Sequence, residues 1–227
     1  HFEAGTEEGT LRRQAVSMAI NRQNICDKVL NGTGTPAADF TSPLTPGYSD
    51  SLTGSDNLKY NEKKAKELWD KANAISPWTA DDKLTFAYNA DGGHEVIYTA
   101  VVNSINNVLG DGVAATNPYP TFNDFRTAVS DRKVNGAFRS GWQPDYPSAE
   151  NYLMQNFASS AADGNGSNDG DYKNSKFDDL CNQAAASKTT DDANKLYQKA
   201  QEVLLNALPA VPLYYPNAYG VASTGVS

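Results

Sequence analysis

Strand-like runs alternate with helix-patterned segments through the middle of the chain, and this order constrains the fold more than any other feature. The run LTFAYNA at 84–90 is strand-like and ends in a turn at 91–93. The helical stretch HEVIYTAVVNSINNVLG follows, then a short strand at 113–115, a short helix within NPYPTFNDFRTAVSDR and a strand at 134–141. Strands separated by helices predict an α/β fold, a layered mixed or largely parallel sheet flanked by helices.

Helical periodicity continues on both sides of this unit. The predicted helices cover 10–32 with Asn21 capping a second segment, 62–74 capped by Asn61, 148–157, 176–187 and 191–207, and a last strand covers 211–215. We expect 33–57 to be a surface loop in which Phe40, Leu44 and Tyr48 pack, and 158–174 to be a mobile polar loop. Because no repeat or shift in composition divides the chain, residues 1–227 are expected to form one domain.

The charge of the chain argues against two classes of partner. The 227 residues include 27 Asp and Glu against 19 Lys and Arg, a formal net charge of -8. Such a chain repels phosphate backbones and anionic lipid headgroups, so nucleic-acid and membrane-surface binding are not expected. No apolar run approaches the ~18–20 residues that cross a bilayer. The opening HFEAGTEEGT has neither a Met nor a signal-peptide core, which we interpret as a piece excised from a longer, processed protein.

The motifs of common enzymes and metal sites are missing from the sequence. No G-x-S-x-G, Walker A or G-x-G-x-x-G stands in a suitable context, and His94 is the one imidazole besides His1. We interpret His94 as an exposed residue of a first helical turn. The run DGNGSNDG at 163–170 lacks the Gly and Glu of a calcium loop. No metal and no cofactor are expected. Cys26 and Cys181 are compatible with one disulfide or with two buried thiols.

The segment FRSGWQPDYPSAENYL at 138–153 concentrates polar chemistry at the end of a predicted strand. Asp145 lies between two prolines, and Trp142 offers an apolar wall with one donor. Gly141 would let another backbone approach, and Arg139 brings the opposite charge. A rigidly held carboxylate suits a ligand cation such as an α-amino group, while Arg139 could meet a carboxylate. The alternative, equally compatible with the local sequence, is that Asp145 caps the helix near Ser148 with Arg139 as its surface partner.

The run GWQPDYPSAENYL resembles a segment of the bacterial oligopeptide- and dipeptide-binding proteins, the extracellular solute-binding family 5 of ABC importers. Further similarity lies in LRRQAVSMAINRQNICDKVLNGTGTPA, YNEKKAKELWDKA, LTFAYNADG, YKNSKFDDLCNQAAAS and LYQKAQEVLLNALPAVPLYYPNAY, so it spans nearly all 227 residues. The resemblance implies one lobe of a two-lobed periplasmic-binding-protein-like (type II) fold. It also implies that the chain is the second, C-terminal large lobe and that the first lobe is missing.

The same resemblance implies roles for particular residues. Asp145 would hold the ligand amine and Arg139 the carboxylate of short ligands. The backbone of Gly141, Trp142 and Gln143 would pair with a peptide in β fashion. Asn89, at the end of the LTFAYN strand, is a weaker candidate for lining the cleft.

The implied function is binding without catalysis. We expect a monomer that delivers peptides to an ABC permease, as a cell-surface lipoprotein in a Gram-positive bacterium or in the periplasm of a Gram-negative one. Family members that bind other ligands tend to lack the amine-binding Asp, so Asp145 favours peptide. An oligosaccharide or metal chelate remains the alternative ligand, and a hydrolase with an unrecognised carboxylate pair is a further alternative.

Overall fold

The computed structural model describes residues 1–218 and 225, which form an α/β fold. The helices are α1 Glu7–Ala19, α2 Arg22–Asn24, α3 Glu62–Ile75, α4 Glu95–Leu109, α5 Phe122–Ser130, α6 Ala149–Phe157, α7 Ser175–Ala185 and α8 Thr190–Ala207. The strands are β1 Gly34–Pro36, β2 Leu84–Asn89, β3 Ala114–Tyr119, β4 Ala137–Phe138 and β5 Tyr214–Pro216, and short π or 3-10 turns lie at Ile25–Val29, Ser55–Leu58, Ala90–Gly92 and Ser159–Ala161. Two predictions extend beyond the described residues. The single domain was expected to end at residue 227, and the last segment that resembles the family ends at Tyr219.

A three-stranded parallel sheet in the order β3-β2-β4 forms the centre of the chain. Successive strands are joined by α4 and α5, so all three carboxyl ends meet at one edge. A second sheet pairs β1 with β5 in antiparallel fashion. The predicted mixed α/β architecture, with helices flanking the sheets, is therefore confirmed.

Strand β1 lies within the predicted loop 33–57 and was not expected there. The bounds of β3, β4 and β5 also differ from the prediction, and β4 shows the reason most clearly. The strand predicted at 134–141 pairs only at Ala137–Phe138. The chain turns at Gly136, whose φ is +116°, and a Cβ there would lie 2.5 Å from Thr85 Oγ1. Thr85 Oγ1 also donates to Asn135 O at 2.6 Å. A side-chain hydrogen bond therefore replaces the backbone pairing that the predicted strand would have made at this position. In contrast, β3 continues to Tyr119, and β5 begins only at Tyr214.

Side-chain caps set most helix starts, as the local sequence predicts. Asn21 Oδ1 accepts from Asn24 N at 2.9 Å and Asn61 Oδ1 accepts from Lys64 N at 2.9 Å, which confirms both predicted caps. The break before Asn21 follows from the extended backbone of Ile20, which ends α1.

The apolar side chains form two main clusters. One packs α1, α3 and α4 against the sheet, and the other packs α6, α7 and α8 together. Within the predicted loop 33–57, Phe40 packs edge-on against Phe157 at 5.2 Å and Tyr48 against Tyr215 at 6.2 Å. The packing expected of Leu44 is wrong, because its exposed fraction is 92%.

The polar loop 158–174, predicted to be mobile, is anchored at several points. Asn168 is buried, accepts from Tyr172 N and donates to Ala158 O. Two arginines from the region of α5 hold its carboxylates: Arg132 contacts both oxygens of Asp171 at 2.7 and 2.8 Å, and Arg126 lies 2.7 Å from Asp169. Asp163, the other carboxylate of the run 163–170, lies 2.6 Å from Lys173 Nζ, so both carboxylates of that run are paired with side-chain cations.

The two cysteines are free and buried, so the structure favours two thiols over a disulfide. Cys26 lies in the π turn and Cys181 in α7. Burial raises the pKa of the Cys181 thiol to about 12, so that thiol stays protonated at neutral pH. In the described part of the chain, no helix combines the length and apolarity needed to cross a bilayer.

The buried residue Asp39 joins the loop 33–57 to α8 through its carboxyl group and to β5 through its main chain. Asp39 accepts from Phe40 N at 2.7 Å and from Thr41 Oγ1 at 3.2 Å. The Tyr215 hydroxyl donates to Asp39 O at 2.8 Å. The side-chain amide of Gln201 finds partners when its nitrogen faces Asp39, where it donates to both carboxylate oxygens at 2.6 Å. Burial nevertheless raises the pKa of Asp39 from 3.8 to about 7, because charge is costly in this interior.

The raised pKa of Asp39 makes the stability of the chain depend on pH. The pKa of Asp39 is higher in the folded protein than in the unfolded chain. The protonated carboxyl group therefore contributes its full share to the free energy of unfolding below about pH 4, and this share is lost as the pH rises through 7. The loss reaches at most about 4 kcal/mol, at about 1.4 kcal/mol per pKa unit, and the Gln201 amide reduces it by favouring the ionised form. We expect Asp39→Asn to flatten this pH dependence in urea unfolding between pH 4.5 and 8. The exposed Asp111→Asn should keep the wild-type slope, and an unchanged slope in Asp39→Asn would contradict the assignment.

Candidate ligand-binding site

The candidate site lies at the carboxyl edge of the parallel sheet. Ala87 pairs with Phe138, and Arg139 N donates to Ala87 O at 2.8 Å as the last ladder contact. Beyond Arg139 the chain crosses this edge without further strand pairing and enters α6 at Ser148. In open α/β sheets, the region outside the carboxyl ends of strands is where ligands bind.

Trp142 and Asp145 are joined through one side chain of α6. Asn151 Oδ1 accepts from Trp142 Nε1 at 2.8 Å and from Asp145 N at 3.1 Å. Asn151 Nδ2 faces Asp145 Oδ2 at 3.5 Å. Asn151 is buried, Trp142 is half-buried and Asp145 is exposed. The indole N–H is therefore used inside the protein, and Trp142 offers a ligand its apolar surface rather than the donor expected from the sequence.

The helix-capping alternative for Asp145 is wrong. Ser148 is the cap of α6, and its Oγ accepts from Glu150 N at 3.2 Å. Among the described residues neither Asp145 nor Arg139 takes part in an ion pair, so the two are not surface partners either. The carboxylate of Asp145 thus faces solvent without a cation.

Strand alternation places Arg139 on the α4 side of the sheet. Ala137 packs with the cluster of α1, α3 and α4, whereas Phe138 packs on the opposite face. Side chains alternate along a strand, so Arg139 returns to the side of Ala137. Burial raises the pKa values of Tyr98 and Tyr214, and the positive charge of Arg139 opposes both increases, which puts these hydroxyls in its surroundings.

His94, at the N-terminus of α4, is within reach of the charge of Arg139. Burial lowers the pKa of His94 and the Arg139 guanidinium lowers it further, whereas Asp91 acts in the opposite direction. His94 is half-buried rather than exposed, so our interpretation of it as an exposed first-turn residue was wrong. Its position directly after the turn that ends β2 was the signal in the sequence that could have placed it at the site.

Asn89 is buried at the end of β2 and has an unused acceptor. Its Nδ2 donates to Asp91 Oδ1 at 2.7 Å, whereas its Oδ1 has no hydrogen-bond partner among the described residues. A Cβ on Gly92 would lie 2.6 Å from both Asn89 Nδ2 and His94 Nε2, so the three residues are tightly grouped. A buried unpaired oxygen is costly unless a further donor reaches it.

Gly141 and Gln143 are exposed. A Cβ on Gly141 would meet nothing within 4 Å, so the fold itself leaves this backbone uncovered. The strand order makes β4 an edge strand of the described sheet, open to a further strand on its outer side. The structure thus brings the predicted residues to one edge, with Asp145 and Trp142 on one side and Arg139 and Asn89 near the ends of β4 and β2. Asn151 was not anticipated, although it stands six residues after Asp145.

A sequence profile described as bacterial extracellular solute-binding proteins, family 5 Middle, matches residues 11–164. The chain belongs to this family. This confirms the family resemblance found in the sequence. Family-5 proteins are named for the binding of solutes, and the mixed α/β fold described above is that of one of their lobes.

Two curated relatives and one solved structure illustrate the similarity of this family-5 chain to known proteins. It is 32% identical over 210 residues to the periplasmic oligopeptide-binding protein OppA of Salmonella typhimurium, covering 89% of this chain and 36% of that protein. It is 31% identical to the probable deoxycholate-binding periplasmic protein YgiS of Escherichia coli, again covering 89% of this chain and 36% of the relative. The chain therefore spans little more than a third of the length of these relatives.

The structure of the ABC transporter-associated periplasmic binding protein DppA from Helicobacter pylori, in complex with the peptide STSA, superposes with a TM-score of 0.77. The match covers 93% of this family-5 chain and 39% of that one, at 24% identity. At this identity the superposition establishes the fold alone.

Proposed function

We propose that this chain is the C-terminal large lobe of the substrate-binding component of an ABC importer, and that it binds oligopeptides or dipeptides between two lobes. The observation that carries the proposal is the carboxylate of Asp145. It is held through Asn151 at the strand edge, caps no helix and has no cationic partner among the described residues. A carboxylate held in this way suits an external ammonium group.

The residues around Asp145 suit the other parts of a peptide. Arg139 provides positive charge for a ligand carboxylate, and it helps to keep the neighbouring His94 neutral by lowering its pKa. The uncovered backbone at 141–143 can pair with an extended peptide, which gives affinity with little demand on side-chain identity. Asn89 supplies a free acceptor on the neighbouring strand.

In this proposal the protein binds and releases its ligand without chemical change. Closure of a first lobe over this edge would exclude water and strengthen both charged contacts. We expect a monomer that works outside the cytoplasm, as a lipoprotein or in a periplasm, and hands its peptide to a membrane permease. The whole protein, with both lobes, is the species to test.

A ligand without an α-amino group, such as an oligosaccharide or a metal chelate, is the second candidate. The similarity to a protein named as deoxycholate-binding favours keeping it, because relatives of this chain are not confined to peptides by name. Such a ligand would make no use of the charge on Asp145.

Calorimetric titration of the full-length protein with three versions of one short peptide tests the proposal. We expect the unmodified peptide to bind and the N-acetylated version to bind at least about 10-fold more weakly, since acetylation removes the charge that pairs with Asp145. The C-terminal amide should bind more weakly than the free acid because of Arg139. Equal affinity of the unmodified and N-acetylated peptides, or no binding of either while an oligosaccharide binds, would reject amine recognition.

A further inference from the structure

Asn151 provides the main hydrogen-bond anchor of the segment that carries the proposed amine site. Between Arg139 N, which ends the strand pairing, and Ser148 N, which donates to Tyr146 O, the hydrogen bonds of the described structure all run to Asn151. One oxygen, Asn151 Oδ1, accepts from both Trp142 Nε1 and Asp145 N. Without it, two N–H donors on this segment would lose their partner.

The rigidity of Asn151 comes from its place on α6. It lies in the first turn of a helix capped by Ser148, and its exposed fraction is 2%. Neighbouring Leu153 is 0% exposed and belongs to the cluster formed with α7 and α8. A side chain on a packed helix is therefore joined to an exposed loop, so the orientation of the loop is set by the core.

We propose that Asn151 is a positioning residue, which acts on the ligand only through Trp142 and Asp145. Because Asn151 Oδ1 accepts both hydrogen bonds, it fixes the indole plane of Trp142 relative to the backbone of Asp145 before any ligand binds. Its amide nitrogen, 3.5 Å from Asp145 Oδ2, restricts the rotation of the carboxylate and leaves the second oxygen for a ligand. Preorganisation of this kind lowers the cost of ordering the site on binding. This inference rests on the proposed function, since the group to be positioned is the amine-binding carboxylate.

A merely structural role for Asn151 would have a different signature. If the side chain only attached α6 to the loop, its loss would weaken all ligands equally or reduce stability alone. A positioning role must appear in amine selectivity, the ratio of the affinities for a free-amine peptide and its N-acetylated twin.

The test measures amine selectivity in variants of the full-length protein by calorimetric titration. We expect Asn151→Ala to lower affinity for the free-amine peptide by roughly 10-fold and to leave that for the N-acetylated twin nearly unchanged. Asn151→Asp keeps an acceptor for both donors but loses the amide nitrogen that faces Asp145 Oδ2, so its selectivity should fall between those of Asn151→Ala and wild type. Asn156→Ala is the matched control, because Asn156 lies on the same helix and, within the described residues, its amide donates to Tyr152 O alone.

The partner residues give a second measurement. Trp142→Phe keeps an aromatic wall but removes the indole N–H, so it should lower selectivity less than Asn151→Ala does. The double variant should be no worse than Asn151→Ala alone, because coupled residues are not additive. If Asn151→Ala fails to fold, Asn151→Ser, whose hydroxyl is too short to reach both donors, should show the same fall in selectivity.

The outcomes separate the two levels of inference. A fall in the affinity of both peptides by the same factor, or unchanged selectivity in a folded Asn151→Ala protein, overturns the positioning role. A wild-type protein that does not distinguish the two peptides rejects the proposed amine recognition itself, whatever the variants do.

Discussion

Asp145→Asn in the full-length protein is expected to lower affinity for a free-amine peptide by about 10- to 100-fold. The substitution preserves shape but removes the charge, and a hydrogen bond to a charged group contributes about 1.5–3 kcal/mol. The ammonium would then be enclosed between the lobes without its counter-charge. Affinity for the N-acetylated peptide should change little. Calorimetric titration of both peptides against both proteins measures the effect.

Asp111→Asn is the matched control for this substitution. It removes an exposed carboxylate at the opposite end of α4, so it changes the net charge equally without touching the site. If Asp145→Asn binds the free-amine peptide as tightly as Asp111→Asn, the carboxylate has no part in ligand binding. If both variants lose affinity equally, the effect is one of overall charge.

Arg22→Met is expected to destabilise the fold by about 3 kcal/mol or more. The guanidinium is 4% exposed and donates to Pro212 O and Leu58 O at 2.7 Å each, and to Ser17 O at 2.9 Å. Burial lowers its pKa to about 9, so it is still charged at neutral pH. Methionine fills much of the same volume but leaves buried carbonyls without donors, at about 1–3 kcal/mol each.

Urea unfolding at pH 7 measures the effect of Arg22→Met, with Lys28→Met as control. Lys28 is an exposed cation six residues further along, so its replacement removes the same charge and should alter stability by no more than about 0.5 kcal/mol. Stability of the Arg22 variant within about 1 kcal/mol of wild type would mean that the carbonyls find other donors. The hydrogen bonds of Arg22 would then not join these segments as described.

Features that depend on a few neighbouring residues were predicted correctly. Asn21 and Asn61 cap their helices because the groups that they accept from lie three residues along the chain. The strand at 84–90 and the helix after it also follow from local periodicity. Asp145 and Trp142 could be predicted as ligand-binding residues because their segment places a carboxylate among aromatic residues and prolines and also resembles the family.

Features that depend on contacts distant in sequence could not be predicted in the same way. The length of β4 is limited by the close approach of Gly136 to Thr85, about fifty residues earlier. The loop at 158–174 is held by Arg126 and Arg132, which its own polar composition does not reveal. The two hydrogen bonds accepted by Asn151 Oδ1 could not be predicted from the local sequence either. The packing of α6 decides which donors reach this oxygen.

The sequence by itself determined the order of the helices and of strands β2 to β5, the caps at Asn21 and Asn61, the family and the residues that concentrate charge near one strand end. These depend on periodicity, on short-range hydrogen bonds and on recognisable segments. Only the tertiary structure decided that Asp145 caps no helix, that Arg139 is not its partner and that His94 is within reach of the charge of Arg139. Those outcomes depend on which side chains meet across parallel strands and packed helices, and distances between such groups are set by the whole core rather than by any one segment.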